Sequence, residues 1–126
     1  MPPRFVILKH DHPFLHWDLL LEEKSTARTW RLLRKPCLSE PIAAQPLPPH
    51  RLLYLDYEGP VGNDRGYVER ILAGTYEADS PSEEFVSLKF SENDFASIAT
   101  IRTLSDGRVF ITFAAAEHFC SPASTE

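Results

Sequence analysis

Cysteine is scarce in this chain of 126 residues, which has only Cys37 and Cys120. The two lie far apart, and neither has a second cysteine at metal-binding spacing, so a zinc ribbon is excluded. In a reducing compartment we expect both to be free thiols.

Long hydrophobic runs are also absent. No apolar stretch approaches the length that spans a bilayer, and the start, MPPRFVILKH, has too short an apolar segment and no small-residue cleavage site for a secretory signal. We therefore expect a cytoplasmic protein with no membrane partner. Hydrophobic residues make up 43% and charged residues 25%. These fractions fit one soluble domain over residues 1–126, with a frayed tail from about Ser121.

Basic residues are outnumbered, since 13 Lys and Arg face 18 Asp and Glu and the net charge is -5. This balance argues against a protein that coats nucleic acid nonspecifically, because such binding needs clustered cations. The cations are unevenly spread, however, and Arg28, Arg31, Arg34 and Lys35 lie close together. A local basic face and a solvated strand with scattered charge both fit this pattern.

Short stretches of alternating polarity, separated by turn residues, make up most of the chain. Strands are predicted at Phe5–His10, Leu15–Leu21, Ala27–Leu33, His50–Tyr57, Tyr67–Leu72, Thr75–Ala78, Phe85–Phe90 and Arg108–Ala114. Asp106-Gly107 is a hairpin signal before the last strand. The pattern predicts a mainly β, single-domain fold, a closed or curled antiparallel β-barrel of about eight strands with one or two short helical turns.

Three segments between these strands carry further predictions. Pro36–Pro49 holds five prolines and should be an ordered surface loop that cannot join the interior of a sheet. Ala73-Gly74 should let two strands meet at a bend or bulge, and Asp79–Glu83 should be an acidic turn. In Ser91–Leu104, a capping signal and apolar residues at every third position favour a short helical turn followed by a strand.

Three of the five histidines fall within Lys9–Glu22, KHDHPFLHWDLLLE. Because side chains in a strand alternate faces, His16 and Asp18 point the same way, and a chain reversal can bring His10 opposite them. Two imidazoles and one carboxylate suit zinc, manganese or iron and leave positions open for water or substrate. Surface histidines and a His-Asp pair that only orients one side chain explain the spacing equally well. His12 precedes a proline in the turn and is the least suited to be a ligand.

The pair His16-x-Asp18 with a distant histidine, His50 or His118, also resembles the two-histidine, one-carboxylate triad of iron oxygenases. A chain this short leaves little room for the double-stranded helix that usually carries that triad. An iron oxygenase is therefore the less favoured alternative.

The order of motifs along the chain resembles the 3′-phosphoesterase domain of bacterial DNA ligase D. The segments that carry the resemblance are FVILKHDHPFLHWDLLLE, Trp30, HRLLYLDYEG at 50–59, GYVERILAGTYE at 66–77 and LKF at 88–90. The family shows K-H-D-x-x-x-L-H-x-D-x-R-L-E, then a tryptophan, then H-P-L-x-Y-x-D-F-E-G and G-T-Y-E. The match runs through nearly the whole chain and keeps this order.

The resemblance implies a barrel-like fold and a divalent metal, manganese first and zinc second, held by His10, His16 and Asp18. It implies that His50 is the catalytic residue that engages the substrate phosphate. Tyr54 either orients a phosphate oxygen or a metal-bound water, or is only a half-buried strand tyrosine. The implied activity removes a 3′-terminal phosphate or ribonucleotide and leaves a 3′-hydroxyl for repair ligation. Nucleic-acid 3′ ends are then the partner, and a separate DNA ligase is a further expected partner of a stand-alone domain.

Two polar positions of the family differ in this chain. The family arginine two residues after the ligand aspartate is Leu20, and its glutamine two residues before the first ligand histidine is Leu8. Leucine offers phosphate no donor, so the grip should weaken unless Arg31, Lys35 or Arg51 reaches in. The alternative is a catalytically weakened module that binds metal or nucleic-acid ends beside a separate DNA ligase.

Overall fold

Nine strands account for most of the residues that the computed structural model describes, 2–115 without the side chain of Pro81. The strands are β1 Arg4–His10, β2 His16–Glu22, β3 Ala27–Leu32, β4 Ile42–His50, β5 Gly59–Pro60, β6 Tyr67–Ser82, β7 Phe85–Phe90, β8 Ile98–Thr103 and β9 Val109–Ala114. A short 3-10 helix, Leu52–Leu55, follows β4. Cys120, His118 and the predicted frayed tail from Ser121 lie outside the described residues.

The strands close into a ring of eight. Neighbours pair antiparallel in the order β1, β2, β3, β4, β9, β8, β7 and β6, and β6 pairs back onto β1. β5 is a ninth strand of two residues against the start of β6. The prediction of a mainly β, closed antiparallel barrel of about eight strands is confirmed.

Alternation sorts the side chains of β1, β2 and β3 onto two faces. The face toward the inside of the ring carries the main core, which includes Phe5, Ile7, Leu19, Leu21, Trp30, Leu32, Ile42, Leu88, Ile101, Ile111 and Phe113. Phe5 stacks on Phe90 with ring centroids 3.9 Å apart. Strands from all around the ring contribute to this core, so its burial holds the ring closed.

The opposite face of β1 and β2 carries a smaller apolar group, which we call the outer cluster. It comprises Val6, Leu8, Leu20, Ala27 and Leu55, with Leu52 and Tyr54 packed against it. β1 and β2 form the floor of this cluster, and the 3-10 helix, which we call its roof, covers it. Burying one leucine is worth roughly 1.5–3 kcal/mol, whereas an exposed ion pair is worth about 0–1 kcal/mol. Apolar contact therefore holds this roof more firmly than the Arg4–Asp56 ion pair at its edge, whose atoms are 2.8 Å apart.

The proline-rich segment departs from its prediction. Ile42–His50 is a strand, not a surface loop, and it lies between β3 and β9. Only Ile42–Ala44 pairs with β9, whereas pairing with β3 continues to His50. The prolines at 46, 48 and 49 therefore fall beyond the β9 pairing, where the strand needs backbone donors toward one neighbour at most.

The strand predicted at His50–Tyr57 is wrong beyond its first residue, where β4 ends and the 3-10 helix begins. The N–H groups of Tyr54 and Asp56 donate to carbonyls three residues back, at 3.0 and 3.1 Å. Residues three apart share a face of such a helix, so Leu52 and Leu55 both contact the outer cluster. A short apolar run fits either a strand or a helix, and burial against the outer cluster decides for the helix.

β6 is one strand from Tyr67 to Ser82, so the predicted division into two strands at Ala73-Gly74 is wrong. Its pairing with β1 does shift register nearby, at Ile71. Glycine is needed at 74 because a Cβ would lie 2.5 Å from Ser91 Oγ and 2.9 Å from the Phe5 ring. The predicted acidic turn is also misplaced. Irregular pairing carries the strand past Asp79, and the turn falls at Glu83-Glu84.

A side-chain turn replaces the helical turn predicted within Ser91–Leu104. Asn93 Oδ1 accepts the N–H groups of Phe95 and Ala96 at 2.7 and 2.9 Å, which offers the backbone an alternative to helix. β8 then follows, as predicted. The Asp106-Gly107 turn is confirmed, with φ of 92° at Gly107.

Candidate metal centre and substrate groove

The β1–β2 hairpin brings two histidines and an aspartate together on the outer face. His10 pairs with His16 across the two strands, and Leu8 pairs with Asp18. One ligand atom from each of His10, His16 and Asp18 lies within 4.8 Å of the others. We call these three residues the triad. It lies beside the outer cluster because the same alternation of β1 and β2 presents both.

The turn of this hairpin is fixed by the segment that leads into β6. Asp11 Oδ1 accepts the Tyr67 N–H at 2.8 Å. Gly66, with φ of 84°, packs so closely that a Cβ there would collide with Asp11 Oδ1 and His12 Cβ. Glycine at 66 therefore allows the contact that holds the end of the hairpin, and with it the spacing of the triad.

Backbone carbonyls set which nitrogen of each histidine can bind a metal. His16 Nδ1 donates to Phe14 O at 2.8 Å, and His10 Nε2 donates to Arg65 O at 2.8 Å. The lone pairs of His16 Nε2 and His10 Nδ1 are then left for a ligand. Orientation of a ligating histidine through its other nitrogen is the usual support of a metal site.

Burial makes the triad costly without a cation. His16 and Asp18 are 1% and 2% exposed, and His16 Nε2 and Asp18 Oδ1 lack a hydrogen-bond partner. His16 Nε2 also faces Asp18 Oδ2 at 3.4 Å, so lone pairs oppose each other unless a proton or cation lies between them. Buried polar atoms without partners are rare, and a cation would satisfy them.

Desolvation shifts both groups toward their neutral forms. Burial lowers the pKa of His16, helped by the nearby Arg31 and opposed by the bond to the Phe14 carbonyl. Burial raises the pKa of Asp18, and the nearby His50, Arg31 and His10 oppose this rise. Neutral imidazole is the form that binds metal. A divalent cation beside Asp18 would in turn favour its carboxylate, so the donor set fits manganese or zinc.

A groove of about 440 Å³ leads to the triad. Its lining is Leu8, Asp18, Pro49, His50, Arg51, Tyr54, Val61, Arg65 and Val68. His50 Nδ1 donates to Pro48 O at 3.2 Å, which leaves Nε2 as the nitrogen available to a substrate. The His50 and Tyr54 rings are 6.1 Å apart. The structure thus brings together Asp18, His50, Arg51 and Tyr54, which were singled out from the sequence.

Two other predicted phosphate-binding residues lie in different places. Arg31 pairs with Asp18 across β2 and β3, and its buried Nε lacks a hydrogen-bond partner. Its guanidinium carbon lies 5.2 Å from the centre of the Phe14 ring. Lys35 instead lines a separate cavity with Ile7 and Phe95. Arg31 therefore borders the triad, and Lys35 is not among the residues that line the groove.

Leu8 and Leu20, which stand where the resemblance implies polar residues, have a structural role. Leu8 is 1% exposed and Leu20 is fully buried, both in the outer cluster under the 3-10 helix. These side chains support the segment that carries Tyr54. Leu8 and Leu20 thus make the surface beside Asp18 apolar. The positive charges near it belong to Arg31, Arg51 and Arg65.

Sequence reasoning missed Arg65 and Phe14 as parts of this region. Arg65 lines the groove and its carbonyl holds His10, although it lies 55 residues away in the chain. The glycines of the loop at 59–66 predicted a turn, but no local pattern indicated where that turn packs. Phe14 contacts His16 edge to face at 5.5 Å, and only its proximity to the ligand histidine in sequence hinted at this.

Comparisons with known proteins agree with the motif order. A family model described as the DNA Ligase D 3′-phosphoesterase domain matches residues 8–112. The Pseudomonas aeruginosa protein named "Multifunctional non-homologous end joining protein LigD" is 35% identical over 60 residues, which are 46% of this chain and 7% of that protein. The chain thus aligns with a small part of that relative. In the described part of the chain, no helix has the length and apolar character needed to cross a membrane. The chain belongs to the DNA ligase D 3′-phosphoesterase domain family.

Proposed function

We propose that this chain is a metal-dependent phosphoesterase that removes a 3′-terminal phosphate, or a 3′-ribonucleotide, from nucleic-acid ends. The observation that carries the proposal is the triad, in which buried lone pairs of His16 and Asp18 converge with His10 and lack protein partners. Family membership supplies the class of reaction. The product would be a 3′-hydroxyl, which a ligase can join.

His10, His16 and Asp18 would hold the metal, with manganese the first candidate and zinc the second. A bound divalent ion would polarise a phosphoryl oxygen and lower the pKa of a water. The backbone carbonyls of Phe14 and Arg65 keep both imidazoles in the orientation and tautomer that this requires. The outer cluster beside the triad excludes water from one side and strengthens local electrostatic interactions.

His50, which lines the groove, would act on the phosphate. With Nδ1 bound to Pro48 O, a protonated His50 can donate from Nε2 to a phosphoryl oxygen and offset the charge that develops there. Tyr54, beside it, can donate its hydroxyl to a second oxygen. Tyr54 lies in the 3-10 helix whose leucines pack into the outer cluster, and His50 ends β4 just before that helix.

The phosphate grip would come from arginines around the groove. Arg51 and Arg65 line it, and Arg31 lies opposite Asp18 on the other side of the triad. A guanidinium offers paired donors that match phosphate oxygens. Arg31 is the best placed to supply the charge that Leu20 does not, because its Nε is buried next to the triad without a partner.

We infer a role in end joining from the family. The partners in this proposal are nucleic-acid 3′ ends and a separate DNA ligase that uses the 3′-hydroxyl. We include a cytoplasmic location in this proposal, because the enzyme would have to reach the nucleic-acid 3′ ends that are its substrate. The net charge of -5 makes nonspecific binding along nucleic acid unfavourable, so recognition would be confined to the end that reaches the groove.

Release of inorganic phosphate from a 3′-phosphorylated DNA primer with Mn²⁺ tests the proposal. We expect turnover by the wild type and its loss in His16→Ala. His12→Ala is the matched control, since His12 lies in the same hairpin but outside the triad. Equal inactivity of the wild type and His16→Ala, with no Mn²⁺ binding by calorimetry, would remove the enzyme and its metal site together.

A second candidate is a module that binds metal and nucleic-acid ends without turnover. It is favoured by the apolar floor at Leu8 and Leu20, where the family has polar side chains. Stoichiometric Mn²⁺ binding and binding of the 3′-phosphorylated primer, without phosphate release, would identify this second function. Robust turnover would exclude it.

A further inference from the structure

An exposed aromatic ring stands beside the triad. Phe14 is 52% exposed, although His16, two residues further on, is almost completely buried. The edge-to-face contact with His16, at 5.5 Å and 63°, fixes one side of the ring. The Arg31 guanidinium, 5.2 Å from the ring centre, covers one of its faces.

These contacts hold the ring in place while leaving much of it open. An aromatic side chain that only needed burial would pack into the outer cluster, which lies on the same side of the sheet. Phe14 instead remains at the surface, where the Arg31 guanidinium and the His16 imidazole contact its ring. A flat apolar surface with a fixed orientation is what a second planar ring can stack on.

The position of Phe14 relates it to the proposed substrate. His50, Arg51, Tyr54 and Arg65 line the groove that reaches the triad at Asp18. Phe14 and Arg31 border the triad at His16 and on the β3 side. A phosphate at the triad carries its sugar and base only a few bonds away, so that base must lie close to one of these two borders.

We propose that Phe14 is a stacking platform for the base of the 3′-terminal nucleotide, held from behind by Arg31. This inference rests on the proposed function and names how the nucleoside part of the substrate is recognised. Every base has a π face, so such stacking tolerates all four bases and gives no sequence preference. An end would then be recognised through its last base as well as its phosphate.

The experiment compares two primers, one with a normal 3′-phosphorylated nucleotide and one whose last residue has a sugar and 3′-phosphate but no base. KM with Mn²⁺ is measured for the wild type, Phe14→Leu, Phe14→Trp and Leu15→Ala. Stacking of one base on an aromatic ring is worth roughly five- to a hundredfold in binding. We expect the wild type to prefer the base-carrying primer by about tenfold, and Phe14→Leu to lose that preference. Phe14→Trp should keep it, because it keeps a flat ring.

Leu15→Ala is the control for apolar area, because Leu15 is 51% exposed and adjacent but not aromatic. It should keep the wild-type ratio. A calorimetric Mn²⁺ titration of Phe14→Leu should match the wild type and show that the triad is intact. Equal preference in the wild type and Phe14→Leu, or none in the wild type, overturns the stacking platform.

The same comparison is made by fluorescence anisotropy of labelled primers in the presence of Mn²⁺. This separates the two proposals, because binding is read even if no phosphate is released. An inactive protein that still binds the base-carrying primer more tightly, through Phe14, refutes the enzyme and supports the platform. Turnover with no difference between the two primers supports the enzyme and refutes the stacking platform.

Discussion

Leu19 and Leu20 are adjacent on β2, are both fully buried and belong to different regions. Leu19 faces the main core inside the ring, to which strands from every side contribute. Leu20 faces the outer cluster, a small group under one short helix. The same alternation therefore gives β1 and β2 one face that closes the ring and one that borders the groove.

The two faces differ in what they leave unsatisfied. The main core is hydrophobic, and the hydroxyl of its Tyr76 donates to Glu22 O at 2.9 Å, whereas the outer face places His16 and Asp18, with unpaired polar atoms, beside buried leucines. Burying such atoms without partners costs roughly 1–3 kcal/mol each. The inner face thus stabilises the fold enough for the outer face to keep a costly arrangement. Substitutions on the two faces should therefore have different effects.

Leu19→Ala should cause the largest loss of stability. Its cavity would lie among side chains of a ring that cannot easily collapse, so unfolding free energy should fall by about 3 kcal/mol. Urea denaturation measures this. Calorimetry on the protein that remains folded should show unchanged Mn²⁺ affinity, and a parallel loss of both would mean that the faces are not separable.

Leu20→Ala should lower the free energy of unfolding by less, about 2 kcal/mol, because the 3-10 helix over the outer cluster can shift and partly fill the cavity. Function should suffer more than in Leu19→Ala, because the 3-10 helix positions Tyr54 and follows His50. We expect a higher KM for the 3′-phosphorylated primer at unchanged Mn²⁺ affinity. Equal KM values for the two variants would contradict the supporting role of the roof.

Asp18→Asn should stabilise the metal-free protein by on the order of 1 kcal/mol, since it removes a buried charge. It should also abolish the rise in Tm that Mn²⁺ gives the wild type. Burial raises the pKa of Asp18, so the neutral carboxyl favours folding below its unfolded value of 3.8. That contribution is lost as pH rises through the folded pKa.

The stability of metal-free wild type relative to Asp18→Asn should therefore fall as pH increases from about 3.8 upward. Urea denaturation of both proteins across this range, with chelator present, gives the difference directly. A difference that does not change with pH would show that the carboxylate is already compensated without metal.

Asp56→Asn should have the smallest effect, below about 0.5 kcal/mol. Its partner Arg4 is held at 2.8 Å, but both side chains are substantially exposed, and water and salt screen the pair. Thermal unfolding at low and high salt should give nearly the same Tm for the variant and the wild type. A loss as large as that of Leu20→Ala would mean that the ion pair, and not apolar contact, holds the roof.

Sequence patterns predicted the elements that local chemistry decides. Alternation located β1, β2, β7 and β9, and the His10, His16 and Asp18 spacing suggested the convergence that the hairpin register produces. The errors arose where distant packing decides. Leu52–Leu55 is helical because it covers Leu8 and Leu20. β4 is a strand despite its prolines because its pairing with β9 stops at Ala44, opposite Val109, the first residue of β9.

Parts of the site had no local signal at all. Arg65 reaches the groove through contacts of a loop with a hairpin 55 residues away. Arg31 was a candidate among several cations, and only the β2–β3 register distinguished it from Lys35. Arg31 and Lys35, which belong to one charge cluster in the sequence, therefore lie in two separate places in the folded chain.

The prolines of β4 have a consequence for how the molecule meets its own copies. From Gln45 to His50 this strand extends past its pairing with β9, and within residues 2–115 no strand pairs with that edge. Open strand edges are templates for aggregation and domain swapping. Three of those six residues are proline and offer no N–H for a ladder with another chain. The part of β4 beyond its pairing with β9 is thereby made a poor site for self-association, on the same segment that delivers His50 to the groove.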